Sequence, residues 1–162
     1  MDAGVADRVA FGTECRQPVD AIISLDAFEH FEDPASILKT MDAMLKPGGR
    51  LYASFGPTWF HPYGGHLFSV FPHAHLIFTE RSLIRWRSDF KSDGATRFHE
   101  VAGGLNKMTI SRFERLVERS PLQCEELETV PIRKLRPLAN RWTREFTTAV
   151  VRARLVKPVG PG

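Results

Sequence analysis

Apolar and polar positions follow more than one rhythm along this chain, and each rhythm predicts an element. Val19-Asp20-Ala21-Ile22-Ile23-Ser24-Leu25 is almost continuously apolar and holds three β-branched residues. That is the pattern of a parallel strand covered on both faces. Arg8–Thr13 is a shorter apolar run that also reads as a strand. From Pro34 onward the apolar positions shift to helical spacing, with Ile37, Leu38, Met41, Met44 and Leu45 on one stripe. Asp33 is a good N-cap, and Pro34 suits the first helical position, where no amide hydrogen is needed. Lys46-Pro47-Gly48-Gly49 should end the helix in a tight turn. Arg50–Phe55 then reads as the next strand. Strand, helix and strand make a βαβ unit, right-handed by the usual rule.

Residues 56–105 lose this regularity. They hold 9 of the 17 aromatic residues and 5 of the 6 histidines. A connection of this length usually carries function, so it reads as a substrate lid inserted into the domain. Its aromatic side chains suit an apolar or planar small molecule. Periodicity returns with Ile110, Phe113, Leu116 and Val117 on one helical face, capped by Thr109 or Ser111. Ser111 with Glu114 fits a capping box. Leu122–Ile132 is a weaker strand pattern. In Thr147–Val156, Val151, Ala153 and Leu155 alternate with Arg152 and Arg154, which suits a half-exposed antiparallel strand. The expected fold is therefore α/β, a mostly parallel sheet closed by a C-terminal antiparallel hairpin. One domain over residues 1–157 precedes a disordered tail, 158–162.

Composition narrows the class without naming a function. The chain has 162 residues, 43% hydrophobic and 25% charged, which excludes collagen-like and disordered chains. No run approaches the roughly 20 apolar residues of a membrane span. Met1-Asp2-Ala3-Gly4 is acidic and no signal peptide. Cys15 and Cys124 lie far apart, so a disulfide framework is not expected and a reducing cytoplasm is the simplest setting. Net charge is −4 over residues 1–55, +2 over 56–110 and +5 over 111–162. No nucleic-acid-reading motif accompanies the basic third, which reads as solvated arginines rather than a nucleic-acid surface.

In open α/β sheets, ligands bind beyond the carboxyl ends of the strands. That selects two loops, Ser24–His30 and Phe55–Thr58. Residues Asp20 to Pro34 (DAIISLDAFEHFEDP), followed by Leu45 to Leu51 (LKPGGRL), resemble the second half of class I S-adenosylmethionine-dependent methyltransferases. The likeness is greatest to the small-molecule group called methyltransferase type 11, and it covers roughly residues 8–56. It implies a Rossmann-like sandwich, S-adenosylmethionine as cofactor and a small-molecule methyl acceptor. It also implies that Thr13, Glu14 and Cys15 lie near the adenine, and that Ser24, Leu25 and Asp26 flank the methionine end.

The family's glycine-rich cofactor loop and its ribose-binding acid belong before Arg8, where only seven residues stand. The domain is thus expected to be N-terminally truncated and to lack its first strands. The alternative function is a non-catalytic remnant that acts as an interaction module. Methyl transfer to a hydroxyl is helped by a base, and His30, His61 and His66 are the candidates, with Tyr63 as an orienting donor. Asp26-x-x-Glu29-His30 is similar to the E-x-x-E-H motif of some metal-holding methyltransferases. The first acid here is one methylene shorter, and Glu-His at this place also occurs without metal, so no metal ligand set is named. His61, His66, His73 and His75 have zinc-compatible chemistry, but prolines and aromatics interrupt them and the lid reading is preferred.

Overall fold

The computed structural model describes residues 17–68, 70–101 and 104–160. Strand β1 is Val19–Leu25, with the bounds its composition predicts. Helix α1 spans Pro34–Met44. Its cap forms as expected: Asp33 Oδ1 accepts the amides of Ala35 and Ser36, each at 3.1 Å. Strand β2 is Leu45–Phe55. Lys46-Pro47-Gly48-Gly49 makes no separate turn between α1 and β2. Leu45 is already extended (φ −81°, ψ 141°) and pairs with Val19, whereas Arg50 pairs with Ala21. The four residues between them bulge from the ladder, with Gly48 at φ 78°, a backbone region that glycine enters without steric cost. The predicted strand Arg8–Thr13 lies outside the described residues.

Helix α4 (Ile110–Glu118) leads to β3 (Gln123–Pro131) and β4 (Thr148–Val156). Short helices α2 (Ala74–Ile77), α3 (Glu80–Arg87) and α5 (Arg144–Thr147) lie in the connections. The sheet order is β1-β2-β4-β3. β1 and β2 are parallel, and β4 is inserted antiparallel between β2 and β3. The predicted Ser111–Glu114 capping box does not form. Thr109 caps α4 by accepting the Arg112 amide at 3.1 Å. Ser111 instead donates its amide and hydroxyl to Glu145 at 2.8 and 2.6 Å. Glu114 takes a bidentate bond from Arg144 at 2.7 and 2.6 Å. The ionic partners on and beside α5 are stronger acceptors and donors than a local serine offers.

The core lies between one sheet face and helices α1 and α4. Phe28, Phe55 and Phe113 meet there fully buried, with ring centroids 4.8 to 6.1 Å apart. Leu38, Leu51, Val151 and Leu155 close around them. Among the described residues, strand β1 is not covered on both faces as its apolar pattern predicts. Ile23 is 70% exposed and Leu25 65% exposed. Ile23, Tyr52 and Arg154 form one cross-strand row, and Leu25, Ser54 and Arg152 the next. Among the described residues no helix covers these rows, and the outer edge of β1 has no strand partner.

Residues 56–105 carry a small core of their own, built on Phe68, Leu83, Phe98, Val101 and Leu105. The Arg87 side chain is only 5% exposed and holds Asp93 through two bonds of 2.7 and 2.6 Å. That guanidinium pulls the Asp93 carboxyl from 3.8 down to about 2. A folded value below the unfolded one stabilises the fold above the unfolded value and loses that stabilisation as pH falls toward the folded one. The melting temperature is therefore expected to fall from about pH 4 toward pH 2, with a shallower decline in Asp93→Asn. Equal slopes for both proteins would discount the pair.

Candidate active site

The two loops that sequence selected stand side by side. The Asp26 amide donates to the Ser54 carbonyl at 2.7 Å. The Gly56 amide donates to Glu29 Oε1 at 3.1 Å. A side chain at Gly56 would place its Cβ 2.4 Å from the Ala149 carbonyl oxygen, so only glycine lets this amide reach Glu29. Ser24 is buried, and Leu25 and Asp26 are exposed at the carboxyl end of β1. Asp26 sits at φ 48°, which aspartate tolerates better than most residues. Thr13, Glu14 and Cys15 lie outside the described residues.

Behind this edge the structure gathers Glu29, His30 and His66. Their ligand-bearing atoms all lie within 4.8 Å of one another, and the two imidazole rings meet edge-on at 5.2 Å. His30 Nδ1 donates to the Gly104 carbonyl at 2.7 Å. A carbonyl can only accept, so Nδ1 carries the proton and Nε2 of the neutral ring holds a lone pair. Gly104 has φ 43° and little room for a Cβ, which would lie 3.2 Å from the His99 carbonyl oxygen. The His66 ring faces the Pro57 carbonyl, and its Nε2 is buried with no partner. Glu29 is 3% exposed, and its Oε2 is likewise unpartnered. Burial raises the Glu29 carboxyl above its usual range. Burial, and then the neighbouring His30, push His66 below the usual imidazole value.

The other candidates do not join this cluster. His61 Nδ1 accepts the Tyr63 amide at 3.0 Å, and Tyr63 is 50% exposed. Burial lowers the His61 imidazole. His75 Nε2 bonds the Trp59 carbonyl at 2.6 Å within the 56–105 segment. Glu29 was not among the candidate site residues, although it stands beside His30 in the Glu-His pair. Its burial follows from Gly56, a contact 27 residues away that no local pattern announces.

His30 also borders a cleft of about 430 Å³. Arg97, Lys107 and Arg112 line it, together with Glu32 and Glu80. Asn106 pins this wall to the β1 loop: its side-chain amide donates to the Phe28 and Phe31 carbonyls at 2.6 and 2.8 Å. Lys107 lies 5.1 Å over the Phe98 ring and pairs with Glu80 at 3.2 Å.

The family described as methyltransferase domain matches residues 9–53. That segment is similar to the methyltransferase domain family over a little more than a quarter of the chain. The chain's fold is shared with the 4+2 cyclase SpnF, at a TM-score of 0.54 and 14% identity over 97% of this chain and 58% of SpnF. A Mesorhizobium loti S-adenosylmethionine-dependent methyltransferase is 18% identical, covering 86% of this chain and 62% of that one, with a TM-score of 0.48. A Haloferax volcanii methyltransferase solved with its Trm112 activator is 17% identical over 88% of this chain and 55% of that one, with a TM-score of 0.47. The chain thus spans little more than half the length of these proteins. No curated protein matches it by sequence. No helix among the described residues is long and apolar enough to cross a membrane.

S-adenosylmethionine is the cofactor of this family. The described residues fit one wall of its site. Exposed Leu25 offers an apolar surface, and the exposed Asp26 carboxylate suits the positive charges of a sulfonium-bearing amino acid.

Proposed function

We propose that this chain takes part in methyl transfer from S-adenosylmethionine to a small-molecule acceptor in the cytoplasm. The observation that carries the reading is the junction of the two strand-end loops through Asp26–Ser54 and Gly56–Glu29. It sets an open, acid-tipped edge beside a half-buried histidine pair. The cofactor supplies an electrophilic methyl group on a sulfonium sulfur. Leu25 and Asp26 would meet its methionine end. The acceptor would lie in the cleft bordered by His30, where Arg97 and Lys107 favour an anionic substituent.

Such a reaction depends on aligning the acceptor and excluding water. The aromatic 56–105 segment supplies that cover. An acceptor hydroxyl must also lose its proton. His30 can hold a lone pair at Nε2 for this, because the Gly104 carbonyl fixes the proton on Nδ1, and the unpartnered His66 Nε2 stands beside it. His61 and Tyr63 act in this reading as acceptor-orienting groups of the lid.

Calorimetric titration with S-adenosylhomocysteine tests the reading. Binding at one equivalent is expected, weakened at least tenfold by Leu25→Asp, which replaces the apolar contact with a second negative charge facing the ligand's carboxylate. A folded chain that takes up none would instead favour an interaction module. The exposed Ile23, Leu25 and Tyr52 side chains, beside a strand edge that no described residue pairs, support that second reading.

A further inference from the structure

The three side chains behind the β1 edge have the donor set of a metal site. We propose that Glu29, His30 and His66 bind one divalent transition-metal ion. The inference rests on the reading above only for what the ion would do. Bound there, it would take both Nε2 lone pairs, so the ion and not the imidazoles would ease proton loss from an acceptor. Metal binding itself does not depend on methyl transfer.

Two observations carry it together. First, Glu29 Oε2 and His66 Nε2 are both buried without any partner, and they belong to groups whose ligand atoms, with that of His30, fall within 4.8 Å of one another. Leaving one buried polar atom unpaired costs about 1–3 kcal/mol, so two in one place need a shared explanation. A single cation satisfies both. Second, both rings are already aimed. His30 gives Nδ1 to the Gly104 carbonyl, and the His66 ring faces the Pro57 carbonyl with its Nε2 unpartnered. The Gly104 bond fixes the His30 tautomer and turns its other nitrogen inward, as the outer partners of metal-bound histidines do. Glu29 is held in the same manner by the Gly56 amide on Oε1, which leaves Oε2 for the ion.

The chemistry of the donors selects the ion. Two imidazoles and one carboxylate suit zinc, iron, cobalt or nickel, whereas magnesium and calcium favour all-oxygen sites. Bonds of about 2.0–2.2 Å require the donor atoms to draw together by about 1 Å from their widest spacing. The His66 turn and the Glu29 side chain can supply that closure. Three protein ligands leave positions open for water or for an acceptor oxygen. Asp26 is not in the cluster, and neither are His61, His73 and His75.

The test is calorimetric titration of the metal-stripped chain with Zn(II), Co(II) and Mg(II) in separate runs. One equivalent of Zn(II) or Co(II) is expected at micromolar affinity or tighter, with Mg(II) at least 100-fold weaker. Glu29→Gln and His66→Asn should each weaken Zn(II) at least tenfold, while His73→Ala leaves it unchanged. Asparagine is chosen at position 66 because the backbone there has φ 49°, which asparagine tolerates. If the variants fail to fold, pulsed electron paramagnetic resonance on the Cu(II)-loaded wild-type chain counts bound imidazoles, and two are expected. A folded chain that binds no metal, binding undisturbed by both substitutions, or fewer than two imidazoles overturns the site. S-adenosylhomocysteine titration of the same stripped chain is read separately. Cofactor binding without metal binding would sink this inference alone, and metal binding without cofactor binding would sink only the reading above.

Discussion

Phe113→Ala is expected to destabilise the chain by about 3–5 kcal/mol, the range for removing a buried aromatic ring. Phe113 is fully buried and is the ring that joins the other two, at 5.2 Å from Phe28 and 4.8 Å from Phe55. Phe28 precedes Glu29 in the β1 loop, and Phe55 precedes Gly56 at the end of β2. The cavity left by this substitution would therefore open directly beneath the bond between Gly56 and Glu29. Domains of this size are stable by only about 5–15 kcal/mol, so the loss removes a large share. A urea denaturation series would show the midpoint moving down, with the site residues loosening alongside the fold. Phe113→Leu keeps most of the volume and should recover much of the midpoint. A loss below about 1 kcal/mol for the alanine variant would mean that α4 does not lock the two loops together.

His66→Asn should lower methyl-transfer turnover by about 10²-fold or more, the typical weight of a positioned proton acceptor. S-adenosylhomocysteine affinity should stay within about twofold of wild type, because in the proposed reaction His66 goes with the acceptor and the cofactor is left to Leu25 and Asp26. The same split is expected whether its lone pair meets the acceptor proton directly or through a bound cation. Steady-state kinetics beside a binding titration measure both quantities. An unchanged turnover would remove His66 from the reaction, and an equal loss of turnover and cofactor affinity would make it a structural residue of the site.

Much of the fold could be read before any coordinates. The β-branched run of β1, the Asp33–Pro34 start of α1 and the alternation of Val151, Arg152, Ala153 and Arg154 are local signals, and each produced the expected element. The failures share a cause. Apolar character at Ile23 and Leu25 reports what a surface is suited to meet, and the described residues do not supply the partner. The Ser111–Glu114 box lost to Arg144 and Glu145, residues some 30 positions away. The site was legible to the same depth. Strand-end geometry selected Ser24–His30 and Phe55–Thr58, and these adjoin. The histidines could not be sorted by sequence, because what separates His30 and His66 from His61 and His75 is a set of long-range contacts. Gly104 lies 74 residues from His30, and neither position announces the other. Thr13, Glu14 and Cys15 remain an expectation of the family likeness.

The carbonyl that orients His30 belongs to Gly104, at the far end of the aromatic segment, while the carbonyl that the His66 ring faces belongs to Pro57, at its beginning. The two ends of one long excursion of the chain thus each meet a different imidazole. Swinging that excursion outward to admit a guest would release at least the first ring from its setting, and settling it back would restore the alignment. Opening that excursion and releasing the His30 ring are therefore one motion.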